Sequence, residues 1–549
     1  MKRLILAVLT GLAATQALAF GVDREVTLTP IGTYASGVFD EGAAEIVSYD
    51  PKTRRAFVVN ANDATVDVLD ISDPTAPTKI GAIDVGDVGS DLGAANSVAV
   101  KGGLVAVAVE ADPKQNPGII VLYDAAADPV AQPLATFPAG ALPDAVTFSP
   151  DGKTILAVNE GEPNDDYSVD PEGSITIIDI KRGIDKARVT QVDFTAFNDQ
   201  KDALIAAGVR IFGPGATVAK DLEPEFAAIH PDGVHATVVL QENNAFAQVN
   251  LRSGEVKDIV PLGYKDHRLV ENALDPSNRD DAIAINNWPV YGMYQPDGIA
   301  AYRTFGGTYL VTAGEGDSRD YDGYSEEERV KDVELDPDAF PNAEFLQENE
   351  NLGRLNITTA NGDTDDDGDF DELYAYGSRS LSIWDRKGRL VWDSGSELED
   401  IIAAHPDFAE HFNCTNDDND CFDNRSDDKG PEPEGVVVGQ ILGRQYAFVG
   451  LERIGGIMVY DVTNPRRPVF ETYVNNRDFS VDVCNQRDDE GDCMTGEGMA
   501  NAEAKDLGPE GLAFIPWWQS PSWKPLLLVG NEISGTTTVF EVDLRFGRK

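Results

Sequence analysis

The stretch PDAVTFSPDGKTILAVNEGE, residues 143–162, reads as two short strands joined by a tight turn. Asp144 opens the first strand. SPDG makes the turn, where Gly152 can take the positive φ that such turns need. TILAVNE is the second strand, a continuous apolar run that stops at Glu160.

The same unit recurs along the chain. AEIVSYDPKTRRAFVVNAND begins at Ala44, NSVAVKGGLVAVAVE at Asn96 and PEFAAIHPDGVHATVVLQEN at Pro224. PDGIAAYRTFGGTYLVTAGEGD begins at Pro296, PEGVVVGQILGRQYAFVGLER at Pro433 and PEGLAFIPWWQSPSWKPLLLVGNE at Pro509. Each copy is followed by a third alternating strand, such as TVDVLDI, SITIIDI or GIMVYDV, and most by a fourth, such as TKIGAIDV or PVFETYV. Seven units of about four strands predict an all-β chain folded as a seven-bladed β-propeller. A pair of β-sandwiches or a β-solenoid is the alternative. The last unit runs out of chain after its third strand. VTLTPIGTYAS (26–36) is expected to supply the missing outer strand and close the ring.

Residues 1–19 read as a secretory signal peptide: Lys2 and Arg3, the apolar run LILAVLTGLAA, then ALA before Phe20. Residues 20–549 are expected to form one domain, placed in the periplasm or outside the cell. No later stretch is long and apolar enough to span a membrane. Five insertions interrupt the units, at about 199–222, 268–294, 316–372, 408–432 and 477–508. All follow second or fourth strands, so all are expected on one face. ALIAAGVRI (203–211) is expected to be a short helix.

Unit geometry puts the start of each first strand and the end of each second strand at one mouth of a central channel. Strand starts carry Glu45, Asn96, Asp144, Glu225, Asp297, Glu434 and Glu510. Strand ends carry Ala61 beside Asn60, then Glu110, Glu160, Glu242, Glu315, Glu452 and Glu532. A dozen carboxylates so crowded repel one another strongly unless cations hold them. An all-oxygen, His-poor set selects Ca²⁺ or Mg²⁺, and Ca²⁺ is favoured outside the cytosol. The repeated phrases AKDLEPE (219–225) and AKDLGPE (504–510) are the approach loops to Glu225 and Glu510, and DKGPEPE (428–434) delivers Glu434 likewise.

A second acidic run, DTDDDGDFDE (363–372), places Asp363, Asp365, Asp367, Gly368, Asp369 and Asp371 at the spacing of a Ca²⁺ loop. The twelfth position is Tyr374 instead of Glu, so the loop is not a complete EF-hand. The bland reading of any one of these acids is a solvated coat.

The formal net charge of −51 excludes a nucleic-acid partner and docking on anionic lipid as general readings. The four cysteines fit an oxidising compartment. Of their three pairings, the local ones, Cys414 with Cys421 and Cys484 with Cys493, are expected. The five histidines show no ligand spacing, and no GxSxG, HExxH or P-loop motif is present.

Taken together, GTYASGVFDEGAAEIVSYD, NEGEPNDD, EPEF, AGEGDSRDYDGY, DTDDDGDFDELYAYGSRSLSIWD, GPEPEGV, GLERIGGIMVYDV and LGPEGLAFIP resemble the secreted choice-of-anchor I family. The resemblance runs from about residue 32 to 543. It implies a propeller and, since members are often labelled alkaline phosphatase or surface protein, two kinds of role. By analogy with calcium-dependent phosphatases and phytases, carboxylate-held metals would bind a phosphate and activate a water. Arg319, Arg379, Arg453, Lys220, Lys429 and Lys505 are the candidate phosphate clamp. The competing expectations are a Ca²⁺-dependent phosphoesterase acting on a small phosphorylated substrate and a non-catalytic, Ca²⁺-stabilised module that binds a cell-surface ligand. A one-metal propeller hydrolase such as a lactonase is a third.

Overall fold

The computed structural model describes residues 24–127 and 132–546. The expected signal peptide lies outside the described residues. The described chain is all-β in its framework: seven four-stranded sheets, one per unit. Their first strands are Val47–Asp50, Leu92–Lys101, Pro143–Phe148, Pro224–Ile229, Ile299–Thr304, Pro433–Ile441 and Pro509–Ile515. No single sheet closes on itself, and each runs first strand to fourth in antiparallel order.

The seventh sheet borrows its outer strand. Arg24–Ala35 pairs antiparallel with Thr536–Phe546 along its whole length, from Arg24 opposite Phe546 to Ala35 opposite Thr536. The expected displaced strand is therefore in place, and it joins the chain's two ends without a covalent bond.

Packing explains why the second strands are apolar throughout. In Thr154–Asn159, Ile155 and Ala157 pack against the preceding sheet with Ala106 and Ile120. Leu156 and Val158, one step out of phase, pack against the following sheet with Val238 and Ala245. A strand buried on both faces loses the polar alternation of a surface strand. Each consecutive pair of sheets shares such a core. Phe448 and Val459 meet Leu527 and Phe540 between the sixth and seventh sheets. Leu528 and Val539 of the seventh sheet meet Val58 and Leu69 of the first. The first strands accordingly neighbour one another in a closed cycle.

The insertions are more ordered than their composition suggests. Two of them, with flanking residues, build a separate mixed sheet of five short strands: Tyr264–Asp266, Tyr291–Met293, Tyr374–Ala375, Asn356–Thr358 and Glu327–Arg329. It has its own core of Leu335, Phe340, Leu346, Leu352, Leu355 and Ile357. The expected short helix is Lys201–Ala207, ended by Gly208 at φ 102°. Both local disulfides form, Cys414–Cys421 and Cys484–Cys493, each stapling an insertion. Among the described residues no helix is long and apolar enough to cross a membrane.

Candidate metal centre

In five of the seven sheets the first strand carries an extra residue where it leaves the mouth. Pro143 faces Asn159, but Val146 faces Ala157, so three steps on one strand match two on the other. The same shift falls between Pro224 and Ala227, Pro433 and Val436, Pro509 and Leu512, and Leu92 and Ala95. Asp144, Glu225, Glu434 and Glu510 each sit inside the bulge. A bulge twists the strand locally and re-aims the side chain it carries. Its repetition turns a strand position into a mouth position.

Glycine allows the strands to come close there. Gly298, Gly435 and Gly511 directly follow Asp297, Glu434 and Glu510. A Cβ on Gly435 would lie 1.8 Å from the Glu510 carbonyl oxygen, and one on Gly511 would lie 2.4 Å from that of Glu45. The PDG and PEG signatures are thus close-approach points between neighbouring first strands.

Half of the dozen expected carboxylates meet around one cavity. Asp144, Glu225, Asp297, Glu315, Glu434 and Glu510 all line one central cavity of about 550 Å³, with Asn96 among them. Oxygens of Asp297, Glu315 and Glu434 lie within 4.8 Å of one another, as do those of Glu315, Glu432 and Glu452. Glu242, Glu434 and Glu510 each keep one buried carboxylate oxygen with no hydrogen-bond partner. Burial, reinforced by like-charged neighbours, lifts the acids out of their ordinary range. Glu45 is pushed up to about 8 by burial and then by Glu532 and Asp144. Glu242 also rises to about 8, and Asp144 and Glu532 to about 7. Glu160, Glu225, Asp297, Glu434, Glu452 and Glu510 stand well above the usual carboxylate values for the same first cause. Glu110 is turned inward to bond Ala94 N–H at 3.3 Å and Asn96 Nδ2 at 3.4 Å. Two more acids, which do not fall at the strand starts or ends, join them: Asp317 lines the same cavity, and Glu432 meets Glu315 and Glu452.

The six proposed clamp cations divide into three kinds. Arg319 is fully buried and committed to the approach loop of Glu225, with Nη1 2.6 Å from Asp221 Oδ1 and Nη2 2.8 Å from Glu223 Oε2. Arg379 is buried on Glu399 at 2.9 Å and on the carbonyls of Asp275, Ser426 and Asp428. These two are corrections to the clamp expectation: their donors are already used inside the protein. Lys220 and Lys505 stand half-exposed beside Asp170 and Asp478, each at 3.7 Å, instead of reaching the ring. Only Lys429 and Arg453 touch the mouth. Lys429 Nζ lies 2.9 Å from Glu315 and 3.4 Å from Glu432, and Arg453 lies 2.9 Å from Glu432 and 3.2 Å from Glu452. Glu432 is the exception among the acids: although buried, it is held below the usual carboxylate range by Lys429, Arg453 and Arg425.

The acidic loop is more open. Asp363, Asp365 and Asp371 bring oxygens within 4.8 Å of one another, and Asp371 and Asp369 do so with Asp336. Asp363 also accepts from the Asp367 and Gly368 amides at 3.2 and 3.0 Å, with Gly368 at φ 102°. Asp367 does not join either triad, so the EF-like spacing is only partly realised. Asp336 arrives through a bridge between Leu335 and Phe370, a contact between segments distant in sequence.

Two curated relatives share part of this chain. Gigasin-3a of Magallana gigas is 31% identical over 202 residues, covering 36% of this chain and 66% of its own length. A mesenchyme-specific cell surface glycoprotein of Strongylocentrotus purpuratus is 27% identical over 333 residues, covering 52% of this chain and 42% of its own. The chain thus spans less than two thirds of either relative. Among solved structures, Kuenenia stuttgartiensis hydrazine synthase aligns over 93% of this chain and 97% of its own at 12% identity and a TM-score of 0.42. The WD40 domain of Toxoplasma gondii coronin aligns over 96% of this chain and 87% of its own at 9% identity and 0.44. Residues 45–465 match the choice-of-anchor I domain, and the chain belongs to that family.

Proposed function

We propose that this chain is a secreted, calcium-stabilised binding module, built as a seven-bladed β-propeller with Ca²⁺ held in its acid mouth and in its 363–372 loop. The observation that carries this reading is the pair of partnerless buried oxygens on Glu434 and Glu510, in a cavity walled by carboxylates, with a third on Glu242. Buried polar atoms are rarely left unpaired, and this donor set is all oxygen, as Ca²⁺ prefers. A ligand on the cell exterior is the partner this reading supplies, in keeping with the signal-like N-terminus and with one relative's description as a cell surface glycoprotein. The reading is non-catalytic because Arg319 and Arg379 are engaged on internal partners and Lys220 and Lys505 stand beside other acids, which leaves two of the six clamp candidates at the mouth.

One observation favours a phosphoesterase as a second reading. A pocket of about 160 Å³ beside the mouth is lined by Arg425, Lys429, Arg453 and Asp317, so cations and a metal-site acid do meet. The test uses the purified mature chain. Melting is followed with Ca²⁺ and with a chelator, alongside hydrolysis of a generic aryl phosphate. The binding-module reading expects melting raised by Ca²⁺ and no turnover. Ca²⁺-dependent turnover lost in Lys429→Met would replace it with the second reading, and melting indifferent to Ca²⁺ would remove both.

A further inference from the structure

On the face opposite the mouth, the turns of the fifth and sixth sheets enclose a groove of about 570 Å³. Its walls carry Arg303, Arg386, Lys387, Arg389 and Arg466, a local excess of positive charge in a chain of net charge −51. Arg389 is paired with Asp385 at 2.5 Å, whereas among the described residues Arg303, Arg386, Lys387 and Arg466 have no carboxylate within ion-pair distance. The groove is a fixed part of the framework. Thr304 Oγ1 bonds the Thr463 carbonyl at 2.7 Å, and Gln445 Nε2 bonds that of Arg303 at 3.2 Å, tying the two sheets together below it. Phe305, next to the groove in the chain, is fully exposed on its turn.

We propose that this groove binds an acidic polysaccharide. Unpaired guanidinium groups select an anionic ligand. The body's own negative charge disfavours a broad anionic surface, but a single chain lying in the groove feels mainly charges within a Debye length, about 8 Å at physiological salt. The groove also holds Asp232, Asp385 and the Thr308 side chain. Asp385 is engaged by the Lys387 and Arg389 amides and the Arg389 side chain, so Asp232 and Thr308 are the acceptors offered to sugar hydroxyls, and the two carboxylates would repel a phosphate backbone, which offers acceptors alone. The exposed Phe305 ring supplies an apolar plane for a sugar face. This site is separate from the mouth and does not rest on the metal reading.

The test is affinity electrophoresis of the full mature chain with Ca²⁺ present, against chondroitin sulfate, neutral dextran, poly-dT and phosphatidylglycerol vesicles. Binding is expected to chondroitin sulfate only, weakening as salt rises. Charge reversal in Arg303→Glu/Arg386→Glu is expected to weaken it about tenfold or more, as for loss of two ionic contacts. Phe305→Ala is expected to produce a smaller loss. Lys101→Glu/Lys153→Glu, on the turns of the second and third sheets, is expected to leave binding unchanged. All four positions are exposed, in turns or at strand ends beside them, and equal melting temperatures would establish that the variants fold. The proposal is overturned if chondroitin sulfate does not bind, if poly-dT or the vesicles bind as tightly, or if the control pair loses as much as the groove pair.

Discussion

At the mouth, Asp144, Glu225, Glu434 and Glu510 occupy the same bulge in four different sheets, each half-buried and each lining a cavity with other acids. On the opposite face the same units end in turns that share a geometry and little else. Lys101 faces Leu104 across Gly102–Gly103, and Ile441 faces Arg444 across Leu442–Gly443. Both turns place two residues at positive φ, yet one uses two glycines and the other an exposed leucine at φ 48°. The difference is one of constraint. Six of the seven first-strand mouth positions line one cavity, so each acid there must suit the others. The turns on the other face share no common cavity, so nothing ties their residue types together, and a basic groove stands beside polar or apolar tips.

The largest way to break this comparison is to treat an internal cation as if it belonged to the mouth's chemistry. Arg319→Ala strands Asp221 and Glu223 without a partner and should destabilise by about 3–5 kcal/mol in urea unfolding, with or without Ca²⁺. A clamp residue would instead leave stability near wild type.

Next in size is the metal itself. Ca²⁺ at about a thousandfold over its Kd should stabilise by about 4 kcal/mol, and a chelator should reverse it. The metal-free protein should also respond to pH in an unusual direction. Glu45 and Glu242 keep their protons to about 8, and Asp144 and Glu532 to about 7, while the unfolded chain releases them near about 4. Between those values the native state binds more protons, so stability falls as pH rises from about 4.5 to 8. Saturating Ca²⁺ should flatten that slope. Urea midpoints across this range, with chelator and with Ca²⁺, provide the check.

A smaller effect should change sign with the metal. Glu510→Gln removes an acid whose ionisation burial and its acidic neighbours oppose, so it should stabilise the metal-free protein at the alkaline end of that range, where the native acids lose their protons. The same change should weaken Ca²⁺ binding about tenfold, or about 1.4 kcal/mol. The smallest prediction concerns the other face. Leu442→Gly relieves a left-handed leucine and should raise stability by about 1 kcal/mol, with no change in Ca²⁺ affinity. An equal effect on Ca²⁺ would show that the two faces are not independent.

The repeat was legible because it is written in contiguous residues: strand, turn and strand, seven times, with a terminal acid in six. The displaced strand at Arg24–Ala35 was legible for the complementary reason, since the last unit ended one strand short. The ring of acids followed from that geometry. What stayed hidden depends on contacts between distant segments. Nothing local in AKDLEPE tells that Asp221 and Glu223 hold Arg319, which lies 98 and 96 residues away. Asp506 in AKDLGPE has the same place in its phrase, yet it accepts from the Thr536 and Thr538 hydroxyls. Asp336 and Glu432 were missed because they fall outside the strand starts and ends. The five-stranded sheet was missed because its strands are two or three residues long, too short for any periodicity.

The central claim is that the acid mouth binds Ca²⁺. It is tested most directly by calorimetric titration of the metal-free protein at pH 7 in two buffers of different ionisation enthalpy. Carboxylates that hold protons must release them to bind metal. The account predicts a buffer-dependent heat, hence proton release, that is lost in Glu434→Gln/Glu510→Gln. Binding with no proton release, or release that persists in the double variant, would contradict the account and leave the exposed 363–372 loop as the Ca²⁺ site.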